Sequence, residues 1–92
     1  MYRSVDKQKN EEMNEITASI RSCMQCELAQ TRTKVVIGAG NLDSKIVLVG
    51  EAPGRKEDES GLPFVGSDGK LLDILLNSSG LVRDNLFIAN IL

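Results

Sequence analysis

Residues 46–69 read IVLVGEAPGRKEDESGLPFVGSDG, and this stretch decides the fold. It begins with the continuous apolar run Ile46–Val49, which Gly50 ends. Such runs are typical of strands covered on both faces, as in parallel α/β sheets. Residues 50–69 then hold five glycines and both prolines of the chain. They are too long for a simple connection between a strand and a helix, which usually takes about 2–6 residues. Because long loops in compact domains often carry function, we predict a buried strand that leads into a functional loop.

The sequence after this loop predicts a helix and a second strand. Residues 70–79 are rich in Leu and Ile, and Gly80 suits the position that follows a helix end. Residues 86–92 form another apolar run. Strand, loop, helix and strand in this order indicate a right-handed βαβ unit with parallel strands. We therefore predict an α/β fold with a parallel sheet flanked by helices. We expect it to be truncated here to about two strands, with the remaining strands encoded beyond Leu92.

The N-terminal third predicts one helix and one extended segment. Met13, Ile16 and Ile20 recur at intervals of three and four residues, which favours a helix over residues 8–22. The β-branched run at residues 34–37 is interpreted as an edge strand or an extended arm.

The predicted N-terminal helix leads into a Cys-x-x-Cys pair, Cys23 and Cys26. A structural disulfide is not expected in a reducing compartment. The spacing indicates half of a metal site or a redox pair, and a pair of metal-free thiols is the simplest alternative. Among metals, half of a zinc site is the main competing interpretation.

Composition limits the classes of function. The 92 residues suffice for one small domain, and the formal net charge of −2 gives no basic patch for nucleic acid. If the protein binds DNA, other parts of the full chain supply much of the positive surface. Histidine is absent, so no His acid, base or metal ligand lies within these residues. No run approaches the roughly 18 apolar residues of a membrane span, and the polar N-terminus does not resemble a secretory signal. We expect a cytoplasmic protein without membrane contact.

The glycine-rich loop does not match the phosphate-binding loop of nucleotide enzymes. That motif, G-x-x-x-x-G-K-[ST], requires four residues between its glycines, whereas Gly50 and Gly54 are separated by three. Gly69-Lys70 is followed by Leu71 rather than Ser or Thr. An enzyme acting on nucleotide phosphates is therefore a third-ranked hypothesis.

Several polar and aromatic residues around the loop could carry chemistry. Each of them, considered alone, also has a common structural interpretation without a catalytic or binding role. An isolated aromatic such as Phe64 usually packs in a core, and Asn90 at a strand end usually forms a turn. Asp58 suits a solvated helix start, where acidic side chains complement the helix dipole.

The motifs together carry a family resemblance. Residues 50–58 (GEAPGRKED) and 61–66 (GLPFVG) resemble the first signature of the family 4, iron–sulfur uracil-DNA glycosylases. Cys23 and Cys26 resemble the N-terminal half of that family's cluster site. Residues 87–90 (FIAN) resemble its second strand, which ends in Asn. The resemblance extends over about three quarters of the chain.

The resemblance implies a three-layer fold like that of uracil-DNA glycosylases, with residues 1–92 as the N-terminal part of a single domain. It implies hydrolysis of the N-glycosidic bond of uracil in DNA, in base-excision repair, with uracil-containing DNA as the partner. Family members bind a [4Fe–4S] cluster through four cysteines, of which Cys23 and Cys26 match the first two. The other cysteines and a His of the second signature are expected beyond this sequence, so we expect these 92 residues alone to be inactive.

The resemblance also assigns roles to individual residues. Phe64 matches the aromatic side chain that stacks on uracil, and Asn90 matches the amide that hydrogen-bonds the uracil N3–H and O4 edge. The backbone at Glu51 and Ala52 matches the segment that meets uracil O2 and the catalytic water. Glu57, with Glu51, matches an acidic position that organises the loop or the water. Ala52 stands where better-known uracil-DNA glycosylases carry Asp, so the group that activates water stays open.

A second hypothesis keeps the fold and changes the role. The same segment resembles an N-terminal part once related to phage-type DNA polymerases, which predicts a non-catalytic DNA-binding module.

Overall fold

A computed structural model of the chain describes residues 2–92. It contains four strands, three α-helices and two short 3₁₀ turns within that range. The strands are β1 (Tyr2–Arg3), β2 (Ala39–Asn41), β3 (Val47–Gly50) and β4 (Phe87–Asn90). The helices are α1 (Lys7–Arg21), α2 (Arg55–Ser60) and α3 (Ser67–Ser78), and the 3₁₀ turns span Glu27–Gln30 and Arg83–Asn85.

The predicted βαβ unit is confirmed. Strands β3 and β4 are parallel neighbours, paired from Val47 with Phe87 to Gly50 with Asn90. The connection between them is richer than expected, because the glycine-rich loop contains the short helix α2 and helix α3 begins at Ser67 rather than at residue 70. The α/β fold class is therefore correct.

The sheet differs from the predicted parallel sheet of about two strands. The four strands form one sheet in the order β1-β2-β4-β3. Strand β2 runs antiparallel to β4, and β1 runs parallel to β2, so the sheet is mixed. Residues 34–37 lie outside the strands, so the edge-strand interpretation is wrong and the extended segment remains; the strand that follows it, β2, is interior, between β1 and β4. Gly40 permits its close approach to β4, because a Cβ there would lie 1.9 Å from the Leu86 carbonyl oxygen.

Helix α1 lies within one residue of its predicted limits. The Asp6 side chain caps it by accepting hydrogen bonds from the backbone N–H groups of Gln8 and Lys9. The Tyr2 hydroxyl is 2.7 Å from Asn14 Oδ1 and 2.9 Å from Thr17 Oγ1, which fastens α1 to the N-terminal strand.

The best-buried apolar side chains are Ile88 of β4, Leu86 just before it, Leu76 of helix α3 and Ile37 in the segment before β2. The prediction that the first strand is covered on both faces is wrong within residues 2–92, since Val47 and Val49 are 54% and 62% exposed. Helix α3 likewise buries Leu76 and leaves Ile74 exposed, so only part of its apolar surface is core. None of the helices in this range has the length and apolarity of a membrane-crossing segment.

Candidate functional site

The carboxyl ends of β3 and β4 lie side by side and form the floor of the site. Gly50 is paired with Asn90, and the Ile91 N–H donates to the Gly50 carbonyl at 2.9 Å. The Leu92 N–H donates to the Glu51 carbonyl at 3.1 Å, so the two strand ends stay in register past the last ladder pair. Ligands of open α/β sheets bind at this end of the strands.

Phe64 and Asn90 converge above Gly50. A Cβ built on Gly50 would lie 2.3 Å from Asn90 Oδ1 and 2.6 Å from Phe64 Cζ. Both side chains therefore occupy the space that a side chain at position 50 would take, and only glycine leaves it free. An aromatic ring beside an amide can contact the face of a planar ring and hydrogen-bond its edge.

The five catalytic and substrate-binding residues predicted from the resemblance line one cleft of ≈ 610 Å³. Glu51 and Ala52 are exposed at its margin, while Glu57, Phe64 and Asn90 are half-buried. The structure thus brings these residues together, although they are spread over forty positions of the chain, from residue 51 to residue 90.

The Glu57 carboxylate joins the two parts of the signature loop, which are residues 50–58 and 61–66. Its Oε1 accepts from the Gly54 N–H at 2.9 Å, and its Oε2 accepts from Val65 and Gly66 at 2.9 and 2.7 Å. Burial alone would raise the pKa of Glu57, but the N–H groups of Val65, Gly66 and Gly54 outweigh it and hold the pKa below its ordinary value. Of the two roles left open for this residue, its contacts favour organisation of the loop.

Asp58 has a role that the sequence did not indicate. Its Oδ1 accepts hydrogen bonds from the backbone N–H of Thr33 at 2.7 Å and of Lys34 at 3.2 Å. The Thr33 N–H, together with that of Lys34, holds the pKa of Asp58 below its ordinary value. The interpretation as an acidic residue at a helix start is confirmed, since Asp58 lies in the first turn of α2, but it is incomplete. Asp58 also joins the chain that follows the cysteine pair to helix α2. No sequence pattern marks a carboxylate that caps a segment 25 positions away.

Cys23 and Cys26 lie on the wall of a second cleft of ≈ 760 Å³. It shares four lining residues with the first cleft: Ala52, Gly54, Arg55 and Asn90. Cys23 is half-buried, Cys26 is exposed, and both are free thiols. Over the range that the structure describes, no group of three or more His, Cys, Asp or Glu side chains is arranged to hold a metal. The pair fits half of a four-thiolate site, because both donors are soft sulfur ligands of the kind that iron–sulfur clusters take.

Arg83 is a further residue that the sequence did not single out. Its guanidinium donates to the carbonyl oxygens of Pro63, Phe64 and Gly69 and pairs with Asp73. The residue lies 19 positions from Phe64, in the connection between α3 and β4, and no motif connects the two.

Comparisons with known proteins agree with this geometry. The profile of the Uracil DNA glycosylase superfamily matches residues 37–92. A type-4 uracil-DNA glycosylase of Thermotoga maritima is 49% identical over 82 residues, which cover 88% of this chain and 43% of the relative. The type-4 enzyme of Archaeoglobus fulgidus is 50% identical over 82 residues, covering 89% and 41%. That of Sulfurisphaera tokodaii is 45% identical over 80 residues, covering 86% and 36%.

The chain spans less than half the length of these curated relatives. The match includes the glycine-rich loop, both strands of the βαβ unit and Asn90, and it confirms the family resemblance on which the assignment of the site depended. We conclude that the chain belongs to the uracil-DNA glycosylase superfamily.

Proposed function

We propose that the full-length gene product hydrolyses the N-glycosidic bond between uracil and deoxyribose in DNA. The observation that supports this most is the convergence of the Phe64 ring and the Asn90 amide above Gly50. A flipped pyrimidine needs a stacking surface and a partner for its Watson–Crick edge, and these two side chains supply both kinds of contact. The names of the type-4 relatives point to the same reaction.

The proposed roles follow from the chemistry of each group. Phe64 stacks on the uracil ring. The Asn90 amide accepts from uracil N3–H and donates to O4, which only a group that carries both an acceptor and a donor can do. The backbone at Glu51 and Ala52 faces the O2 side and holds the attacking water. Water oxygen bonds to C1′ as the C1′–N1 bond breaks, and the electron pair of that bond leaves on uracil, where nearby N–H dipoles stabilise the charge. The surplus proton of the water is released to solvent, which leaves a hydroxyl group on C1′.

Glu57 acts on this reaction through the loop that it holds. Its three backbone partners bracket the segment from Gly54 to Gly66, which carries Phe64. A carboxylate that already accepts three hydrogen bonds is a poor base, because those bonds favour its ionised form. We therefore assign Glu57 to keeping the cleft in shape rather than to proton transfer.

Cys23 and Cys26 would supply two of the four thiolates of a [4Fe–4S] cluster. Such a cluster, when bound, cross-links the chain segments that provide its ligands and has no assigned part in breaking the glycosidic bond. The contact between Asp58 and the segment at residues 33–34 suits this role, because it fixes the chain that follows the cysteines against helix α2.

The DNA substrate requires positive surface beside the cleft. Arg55 and Lys56 line the cleft that contains Phe64, and both side chains are exposed and able to reach phosphates. With a net charge of −2 over these residues, we propose that much of the remaining phosphate contact comes from other parts of the full-length protein. We also propose that the protein acts in the cytoplasm.

Uracil release by the full-length gene product tests the proposed function. The substrate is a duplex oligonucleotide with one uracil, and identical duplexes with thymine or cytosine at that position are the controls. We expect an alkali-labile abasic site from the uracil duplex only. DNA binding without base release, in a preparation that retains its iron, would refute the glycosylase proposal and favour the non-catalytic DNA-binding module.

A further inference from the structure

The backbone of Phe64 is held in an unusual conformation. Its φ is +53°, and it is the single non-glycine residue with positive φ in residues 2–92. The left-handed region costs an L-residue about 1–2 kcal/mol, and a bulky side chain rarely adopts it outside functional sites. Such a conformation persists when surrounding contacts hold it, and here those contacts can be named.

The peptide unit between Phe64 and Val65 is fixed at both of its polar atoms. Its carbonyl oxygen accepts a hydrogen bond from Arg83 Nη2, while its N–H donates to Glu57 Oε2 at 2.9 Å. The cationic Arg83 therefore holds the carbonyl of this peptide, and the anionic Glu57 holds its N–H group. Charge-assisted hydrogen bonds of this kind are about twice as strong as neutral ones.

Arg83 holds more than this single carbonyl. Its Nη2 also donates to the Gly69 carbonyl at 3.0 Å, and its Nη1 donates to the Pro63 carbonyl at 3.3 Å. Its Nε pairs with Asp73 on helix α3, which fixes the plane of the guanidinium. The rigid fork of an arginine can meet several acceptors at once, whereas a lysine ammonium offers a single centre.

Helix α3 approaches the same peptide so closely that no side chain would fit at position 69. A Cβ on Gly69 would lie 1.8 Å from the Phe64 carbonyl oxygen and 3.0 Å from Arg83 Nη2. Gly69 is buried, so the first turn of α3, the Phe64 carbonyl and the guanidinium pack against one another without a gap. The ring of Phe64 then projects over Gly50, beside Asn90.

We propose that Arg83, supported by Asp73, is a positioning residue that sets the Phe64 ring over Gly50 before the base arrives. This inference rests on the proposed function, because it concerns the residue that we assign to stacking on uracil. Arg83 acts through the backbone of Phe64. It lies outside the signature loop, at residue 83, so its role follows from the contacts of the folded chain.

The expected effect is on the reaction rate. Misplacement of a positioned group by about 1 Å can cost about 100-fold in rate, so we expect Arg83→Gln to slow single-turnover uracil release about 10- to 100-fold. Arg83→Lys keeps the charge beside Asp73 but lacks the fork, so it should restore stability more than rate. Lys45→Gln removes an exposed cation from the turn before β3 and is the matched control, with an unchanged rate.

A double-mutant cycle in the full-length gene product separates positioning from a general structural role. We would measure single-turnover release by wild type, Arg83→Gln, Phe64→Ala and the double variant, with the melting temperature of each. If Arg83 acts through the ring, its replacement slows wild type but leaves the Phe64→Ala rate unchanged, while the loss in melting temperature persists in both backgrounds. Equal slowing in both backgrounds, or no slowing of wild type, overturns the proposal. If Arg83→Gln does not fold, Arg83→Lys takes its place in the same cycle.

A second readout is independent of catalysis. The aromatic rings of phenylalanine in this chain are those of Phe64 and Phe87. In the full-length product labelled with 4-fluorophenylalanine, the Phe64 signal is identified by its loss in Phe64→Leu. We expect Arg83→Gln to shift or broaden that ¹⁹F signal and to leave that of Phe87 in place. An unchanged Phe64 signal overturns the positioning role, whereas absence of uracil release by wild type overturns only the proposed function.

Discussion

Replacement of Glu57 by Gln removes one of the two carboxylate oxygens that hold the signature loop. The amide oxygen can replace either Oε1, which meets Gly54, or Oε2, which meets Val65 and Gly66, but not both. The amide NH₂ then faces an N–H donor. A hydrogen bond to a charged group contributes about 1.5–3 kcal/mol. Loss of the hydrogen bonds to one of the two oxygens therefore destabilises the folded conformation of the loop by about 2 kcal/mol.

Amide hydrogen exchange measures this loss at the place where it occurs. For exchange through local opening, about 2 kcal/mol corresponds to roughly 30-fold faster exchange at Gly54 or at Val65 and Gly66. The full-length gene product would be compared with Glu57→Gln by mass spectrometry of the peptides that cover the loop. Glu59→Gln is the control, because Glu59 is exposed and pairs only with Arg55 among the contacts of its carboxylate in residues 2–92. Unchanged exchange in Glu57→Gln would refute the role assigned to Glu57.

The Glu57 carboxylate should also make amide exchange in the loop depend on pH. Folding lowers the pKa of Glu57, so its stabilising contribution is fully present above the ordinary pKa of Glu and is lost as the pH falls through the lowered folded value. Loop exchange, corrected for the intrinsic pH dependence of amides, should therefore accelerate in acid in wild type. In Glu57→Gln this acceleration should be weaker, because the group that titrates is gone.

Three further changes have distinct expected results. Gly50→Ala places a Cβ where Asn90 Oδ1 and Phe64 Cζ lie, so uracil release should fall at least about 10-fold in a folded protein, measured beside circular dichroism. Asp58→Asn should accelerate amide exchange at residues 33–34; because the pKa of Asp58 is lowered, wild type should lose this protection only as the pH falls through the lowered value. Cys23→Ser should lower the iron content of the purified full-length product by colorimetric assay, and an unchanged content would contradict the ligand role.

The βαβ unit could be predicted because its signals are local. The apolar runs at residues 46–49 and 86–92 and the Leu- and Ile-rich stretch between them are each visible within a few neighbouring residues. Strands β1 and β2 were missed because they are two and three residues long and because β2 contains Gly40, a residue with low strand propensity. Their pairing depends on contacts between distant parts of the chain, which no local pattern records.

The residues of the site also fall into those that could be predicted from the sequence and those that could not. Phe64 and Asn90 were identified by the family resemblance, while the plain chemistry of each residue favoured a core aromatic and a turn former. Arg83 and Asp58 were not identified, because each acts on backbone groups at least 14 positions away. A backbone carbonyl or N–H leaves no trace in the sequence, so a side chain that binds one is recognised only in the folded structure.

The measurement that tests the central claim most directly is uracil release by Asn90→Ala in the full-length gene product, compared with wild type on one duplex. If Asn90 reads the uracil edge in the cleft above Gly50, loss of its two hydrogen bonds should slow single-turnover release about 100-fold, with DNA affinity and melting temperature nearly unchanged. Release within about threefold of wild type would contradict the account, because the amide that converges with Phe64 would then have no part in recognising the base.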